Sequence, residues 1–311
     1  MTSPGNNTIT TLGTTVVYST NGLPGMEVSP ERIALLVLYT AVLLIGVLGG
    51  VFMCTILKSN LRSVTMVAVL NLTIAHFVFL LTVPFRIHYF ISNNWIFTSG
   101  FCKIVSGMIH IHMYMAFTIY VIILSVRIMT FYKGAEQFTF HRNLHSLGAS
   151  VTMWTLICIV VLMLLFSYGS NNEVESKCFT FGAMIKKPGV QELNYIISSI
   201  FIIVPCIFCT FQGKIILSIV RKYGSEIGVQ QEFWAQMKSL CFISIMLVCF
   251  VPYHIFRLKY LQEPEKDEVI NEIFLAVSSL CCIDLLIFTS RGICYAYTRN
   301  RSETYRMNNM P

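Results

Sequence analysis

Seven long apolar runs constrain this chain more than any other feature. A helix that crosses a bilayer needs about 20 mostly apolar residues. Such runs fall at Ile33–Leu57, Val64–Phe90, Lys103–Phe131, Leu147–Tyr168, Leu193–Val220, Met237–Tyr260 and Val269–Ser290, joined by short polar loops. Of 311 residues, 55% are hydrophobic and 12% charged, about half the charged fraction of an ordinary soluble domain. So few charges cannot coat a compact water-facing surface. Soluble enzymes, disulfide-rich secreted modules and disordered chains are excluded. The expectation is an all-α membrane protein, a seven-transmembrane helix bundle over 33–290, with an outer segment at 1–32 and a short tail at 291–311.

Loop charge orients the bundle, because Lys and Arg collect on the cytoplasmic side. With the N-terminus outside, the inner side holds 13 basic residues against 4 acids, and the outer side 9 against 10. The net charge of +7 is thus an orientation signal, and no nucleic-acid partner is expected. The chain reads as N-terminus extracellular, C-terminus cytoplasmic. Residues 1–28 lack a basic start and an apolar core, so no cleavable signal peptide is expected and the first span directs its own insertion. Asn6-Asn7-Thr8 is an outer glycosylation sequon. Asn71-Leu72-Thr73 has the same pattern but lies inside the second span, where no glycan is added.

Eight of the eleven cysteines lie within spans, where thiols behave as small hydrophobes. Cys102 and Cys178 are the two that face the oxidising side, so they are expected to pair and tie the second outer loop to the bundle mouth. Cys294, just inside the membrane, is a palmitoylation candidate; an unmodified thiol is the other reading.

An ordered set of motifs then narrows the class. Cys102 precedes Arg127 by twenty-five residues. The second span carries Asn71-Leu72 and Pro84-Phe85-Arg86, followed by Trp95. Trp154, Pro205, Cys249-Phe250-Val251-Pro252-Tyr253-His254 and Asp284-Leu285-Leu286-Ile287-Phe288 complete the series. The chain resembles the class A (rhodopsin-like) G-protein-coupled receptors over about 260 residues. Within that class, Pro84-Phe85-Arg86, and Pro252-Tyr253-His254 followed by Arg257, look like the branch holding purinergic nucleotide receptors and other anionic-ligand receptors.

The resemblance assigns Arg127, Phe250, Pro252, Asp284 and His76 to activation, and it exposes departures. Val126 precedes Arg127 where the family has an acid, which implies a weaker inactive-state lock. His76 stands where the family has a sodium-binding Asp, Gly50 replaces an Asn and Ala116 a Ser, so no sodium allostery is expected. The family fold brings His76 near Asp284, as a structural polar contact or a pH-sensing pair. Phe250 replaces a Trp, and Gly213 and Phe288 replace tyrosines, which puts conventional G-protein activation in question.

At the outer mouth, Ile109 replaces the amine-binding Asp and Ser278 the retinal lysine, arguing against a biogenic amine and against a photoreceptor. The expected ligand pocket holds Arg86, His110, Tyr114, His254 and Arg257, with Lys103, Lys177 and Lys259 nearby. Arginine offers forked donors to carboxylate or phosphate. Glu263, Glu265, Asp267, Glu268 and Glu272 offer the competing reading, receptor-side salt bridges. His110 and His112, two residues apart on a helix, face different directions, and no metal site is expected.

The leading function is an orphan receptor in the plasma membrane that converts binding of an extracellular ligand into G-protein signalling. Its partners are a heterotrimeric G protein, that ligand and membrane lipid. The alternative is a non-signalling or scaffold receptor. No internal repeat suggests a transporter, and no clustered nucleophile and base suggests an enzyme. No catalytic residue and no cofactor are expected.

Overall fold

The computed structural model describes residues 29–57, 64–133, 142–167, 177–179, 185, 188–224, 231–263 and 266–287. Asn6, Phe288 and Cys294 lie outside these residues. The described chain folds into helices, and seven spans follow in order.

The first span is Pro30–Leu57, the third Ser99–Lys133, the fourth Arg142–Ser167 and the fifth Pro188–Tyr223. The third and fifth start before the expected Lys103 and Leu193. Apolar content marks where lipid begins, whereas the backbone hydrogen-bond ladder continues past that boundary into water.

The second span, expected as one run, is two helices, Val64–Leu80 and Val83–Ser92, separated at Leu81 and Thr82. Pro84 is the physical cause: it has no N–H, and its ring opposes the carbonyl of Leu80 four residues earlier. At the break the chain tightens, with the Thr82 amide and hydroxyl both donating to the Phe79 carbonyl, at 2.8 and 2.7 Å. Beyond the break, Val83, Arg86, Tyr89 and Phe90 share the buried face.

The sixth span is also interrupted. Gln231–Ile245 passes into a π-helical turn, Met246–Phe250, and then Val251–Tyr260. Pro252 cannot bond to the carbonyl of Val248, while the Val251 amide reaches back five residues to Met246. The seventh span runs Glu268–Ser278, then a 3-10 stretch Ser279–Ile283, with helix resuming at Asp284. Ser278 and Ser279 hydroxyls donate to the carbonyls of Leu275 and Ala276, both at 2.6 Å, just before this tightening.

Close approach of spans relies on small residues, since apolar lipid gives helices no hydrophobic reason to associate. A Cβ on Gly46 would sit 2.6 Å from Leu80 Cδ1, and one on Gly49 would sit 2.7 Å from Leu285 Cβ. The first span is thereby seated against the second and seventh. Asn71 joins spans two and four: its amide donates to Ser150 at 2.8 Å, and its carbonyl accepts from Trp154 Nε1 at 3.0 Å. The buried core is large and aromatic, with Tyr39, Phe79, Tyr120, Phe242, Phe250 and Tyr253 nearly inaccessible. Val37, Leu44, Leu48, Ile203 and Ile207 face outward, as lipid-facing positions should.

Candidate functional site

Cys102 and Cys178 are disulfide-bonded, 76 residues apart in sequence. The bond seats Phe179 over the outer end of the bundle. Phe179 adopts φ 70°, an uncommon conformation for a bulky residue. Its ring packs on Tyr89 and Trp95, with centroids 5.2 and 5.9 Å away, and lies 4.5 Å from the Arg86 guanidinium carbon.

Beneath Phe179 is a cavity open to solvent, enclosing about 730 Å³ with its mouth included. Arg86, His110, Tyr114 and Arg257 line it, together with Ser106, Asn194, Asn271 and Glu272. Four of the five expected pocket residues therefore meet here. His254, the fifth, sits against Phe201, ring centroids 4.2 Å apart, with Nδ1 3.2 Å from the Ser198 hydroxyl. It is not among the lining residues. Lys177 and Lys259 are exposed and Lys103 half-buried; none of the three lines the cavity.

The two arginines differ in what they hold. Arg86 is fully buried and ion-paired with Glu272 of the seventh span. The Tyr39 hydroxyl donates to the same carboxylate at 2.7 Å and accepts from Arg86 at 3.0 Å, while the second guanidinium nitrogen donates to the Val105 carbonyl at 3.1 Å. Three spans and the break in the second thus converge on one charge pair. Arg257 donates to the neutral amide oxygens of Asn271 and Asn194, at 3.1 and 3.2 Å, and lies over Tyr260. Of the five outer acids, Glu272 takes Arg86, and Glu263 pairs with exposed Lys266 at 3.6 Å. Glu265 lies outside the described residues.

Two further polar groups face the cavity. His110 Nδ1 donates to the Ser106 carbonyl at 3.1 Å, and in the neutral ring Nε2 is then the acceptor. The Ser106 hydroxyl is buried and finds no partner among the described residues.

Below the cavity, aromatic rings run toward the cytoplasmic end. Tyr114 meets Phe201 at 5.7 Å, and Phe201 stacks on Phe117 at 3.8 Å. Phe250 sits 6.2 Å from Phe117 and 6.1 Å from Tyr120. Tyr120 stacks on Phe242 at 5.4 Å, and the Arg127 guanidinium lies 6.0 Å from the Phe242 ring. Arg127 is half-buried and donates to Ser239 of the sixth span at 3.3 Å. Gln212 of the fifth span donates to the Gln236 side chain at 2.9 Å and to its carbonyl at 3.1 Å. Hydrogen bonds from Arg127 to Ser239 and from Gln212 to Gln236 therefore bridge spans three, five and six.

At mid-bundle, His76 Nε2 lies 3.2 and 3.1 Å from the two oxygens of Asp284. Tyr120 donates to the same carboxylate at 2.6 Å. On its other side, His76 Nδ1 meets His112 Nε2 at 2.6 Å, and Cys281 Sγ lies 3.8 Å from that nitrogen. His112 and Cys281 were invisible as partners in the sequence. His110 and His112 do diverge: one reaches the cavity wall and the other packs on Phe79 with centroids 4.4 Å apart.

Residues 49–287 match the family described as 7 transmembrane receptor (rhodopsin family). The chain is 43% identical over 274 residues to Probable G-protein coupled receptor 141 of Homo sapiens, covering 85% of this chain and 89% of the relative. It is 27% identical over 277 residues to human Probable G-protein coupled receptor 174, covering 84% and 78%. It is also 27% identical over 256 residues to the N-arachidonyl glycine receptor of Rattus norvegicus, covering 78% and 75%.

Proposed function

The chain belongs to the rhodopsin family of seven-transmembrane receptors and is a multi-pass plasma-membrane protein; from that premise we propose that it binds an extracellular carboxylate or phosphate ligand at Arg257 and signals through a heterotrimeric G protein engaged around Arg127. The observation that carries this reading is the place of Arg257 on the wall of an open cavity. Asn271 and Asn194 each accept one of its N–H groups and hold the guanidinium there. A guanidinium has five donors, so an anion can add to these contacts or replace one of them. The buried Ser106 hydroxyl and the His110 ring offer a second polar contact, while Leu275, Val161 and Ile185 offer apolar wall. The relative named N-arachidonyl glycine receptor favours an acidic amphiphile as the first class to try, since an acyl glycine joins a carboxylate to an apolar chain.

Binding at Tyr114 and Arg257 would press on Phe201 and the sixth span above its π turn. Phe117, Phe250 and Tyr120 offer a packed route from there to Phe242 and Arg127. A packed interior favours two discrete arrangements over gradual deformation. Release of Arg127 from Ser239 would mark the signalling state. A second reading, a receptor that binds without activating a G protein, is favoured by Val126 before Arg127 and by Gly213, where family tyrosine chemistry is missing.

The test is G-protein dissociation in cells challenged with a panel of acyl amino acids, small carboxylates and nucleotides. Wild type should respond to at least one anion. Arg257→Ala should weaken that response ten-fold or more, matching the loss of about 1.5–3 kcal/mol expected for a charged hydrogen bond. A response that Arg257→Ala leaves intact, or silence of surface-expressed wild type to every anion, would contradict the proposal.

A further inference from the structure

We propose that His76, His112 and Cys281 form a buried site for a borderline-soft divalent cation, zinc in the first instance, that pins the second, third and seventh spans together at mid-bundle. The three ligand atoms, His76 Nδ1, His112 Nε2 and Cys281 Sγ, lie within 4.8 Å of one another, and all three residues are buried. Two imidazoles and a thiol are the donor set that zinc selects.

The ion needs a modest rearrangement. Bonds of about 2.0–2.1 Å to nitrogen and about 2.3 Å to sulfur in a tetrahedron separate two nitrogens by about 3.3 Å and nitrogen from sulfur by about 3.6 Å. The structure has 2.6 Å between the nitrogens, 3.8 Å from His112 to sulfur and a widest separation of 4.8 Å. The two rings must part by less than an ångström and Cys281 must move about an ångström toward His76, a change that side-chain rotation can make.

The surroundings suit a bound ion. A metal-ligating histidine usually gives its other ring N–H to a carboxylate, which fixes its tautomer and raises its basicity. His76 has that arrangement, with Nδ1 toward the cluster and Nε2 on Asp284, whose carboxylate is itself held by Tyr120. His112 is steadied by the Phe79 ring. The charges also balance: a divalent ion, one thiolate and the Asp284 carboxylate sum to zero, which a membrane interior tolerates far better than a lone charge.

The proton count is taken with both rings neutral before metal binds. In that state His76 Nε2–H donates to Asp284, and His76 Nδ1 accepts from His112 Nε2–H. Zinc takes the lone pairs of both nitrogens and the sulfur. The His112 proton moves from Nε2 to Nδ1, which finds no partner among the described residues, and the Cys281 thiol proton leaves to solvent. One proton is released per ion, and nothing is oxidised or reduced. Three protein ligands leave a fourth position for water.

The experiment uses the full chain in lipid nanodiscs, purified on a tag without histidine, exposed to Zn2+ and separately to Co2+. Bound metal is counted by mass spectrometry, and Co2+ is read by its thiolate charge-transfer band. Wild type should hold one ion per chain, show that band and lose several degrees of thermal midpoint on chelation. Cys281→Ala and His112→Phe should lose the ion, the band and the chelator response. Cys282→Ala should keep all three, because Cys282 points instead to the Val42 carbonyl, 3.8 Å away. Absence of the band in wild type, or equal metal in wild type and Cys281→Ala, overturns the site. The wild-type spectrum decides this even where a variant fails to fold.

Discussion

Arg86 of the second span and Glu272 of the seventh form a buried ion pair completed by Tyr39 of the first. Burying such a pair gains little over an apolar substitute, but breaking it leaves a bare charge. Glu272→Met or Arg86→Met alone should therefore cost about 3–5 kcal/mol of stability. The double change to Met at both positions should recover much of that loss. Thermal midpoints of the two single variants and the double variant in nanodiscs measure it, and strictly additive losses would contradict the pairing. Tyr39→Phe should cost less, about 1.5–3 kcal/mol, the worth of a hydrogen bond to a charged group.

The Cys102–Cys178 bond should matter through Phe179. Replacing both cysteines with Ser frees the loop residue that covers Arg86 and meets Tyr89 and Trp95. We expect surface expression to fall and a stability loss of about 2–5 kcal/mol. Phe179→Ala with the disulfide intact should reproduce a loss of ligand response without the loss of expression. Equal expression and equal response in all three proteins would count against this account.

Phe250 occupies the family Trp position and is wholly buried beside Phe117, Phe201 and Tyr120. The neighbouring rings already fill the space, so Phe250→Trp should overpack the core and cost about 1–3 kcal/mol instead of restoring family behaviour. A thermal midpoint equal to or above wild type would show that the site has room.

Much of this was legible in the sequence because it rests on local chemistry. Length and apolar content marked the spans, and two outer cysteines gave one bond. Pro84 and Pro252 are visible in the sequence, but whether a proline bends, breaks or loosens its helix depends on how the neighbouring backbone groups re-bond, as Thr82 and the π turn show. Arg86 and Arg257 were both placed at the mouth, yet their difference was hidden. Glu272 stood in a group of five acids, and only the packing of spans two and seven selects it for Arg86. His112 was judged against His110, its neighbour in sequence. Its true neighbours, His76 and Cys281, come from other spans, and no periodicity within one helix reveals them.

The most direct test of the signalling claim is ligand-free G-protein dissociation, measured across the main G-protein families at matched surface expression. It compares wild type, Ser239→Ala and Arg127→Ala. Loss of the Ser239 hydroxyl removes a hydrogen bond from the charged Arg127 worth about 1.5–3 kcal/mol, which should raise the signalling population about ten-fold or more. Arg127→Ala should be silent. Dissociation that rises in Ser239→Ala with one G-protein family and vanishes in Arg127→Ala is the predicted result. If Arg127→Ala signals as strongly as Ser239→Ala, Arg127 is not the element that engages a G protein, and the account fails at its centre.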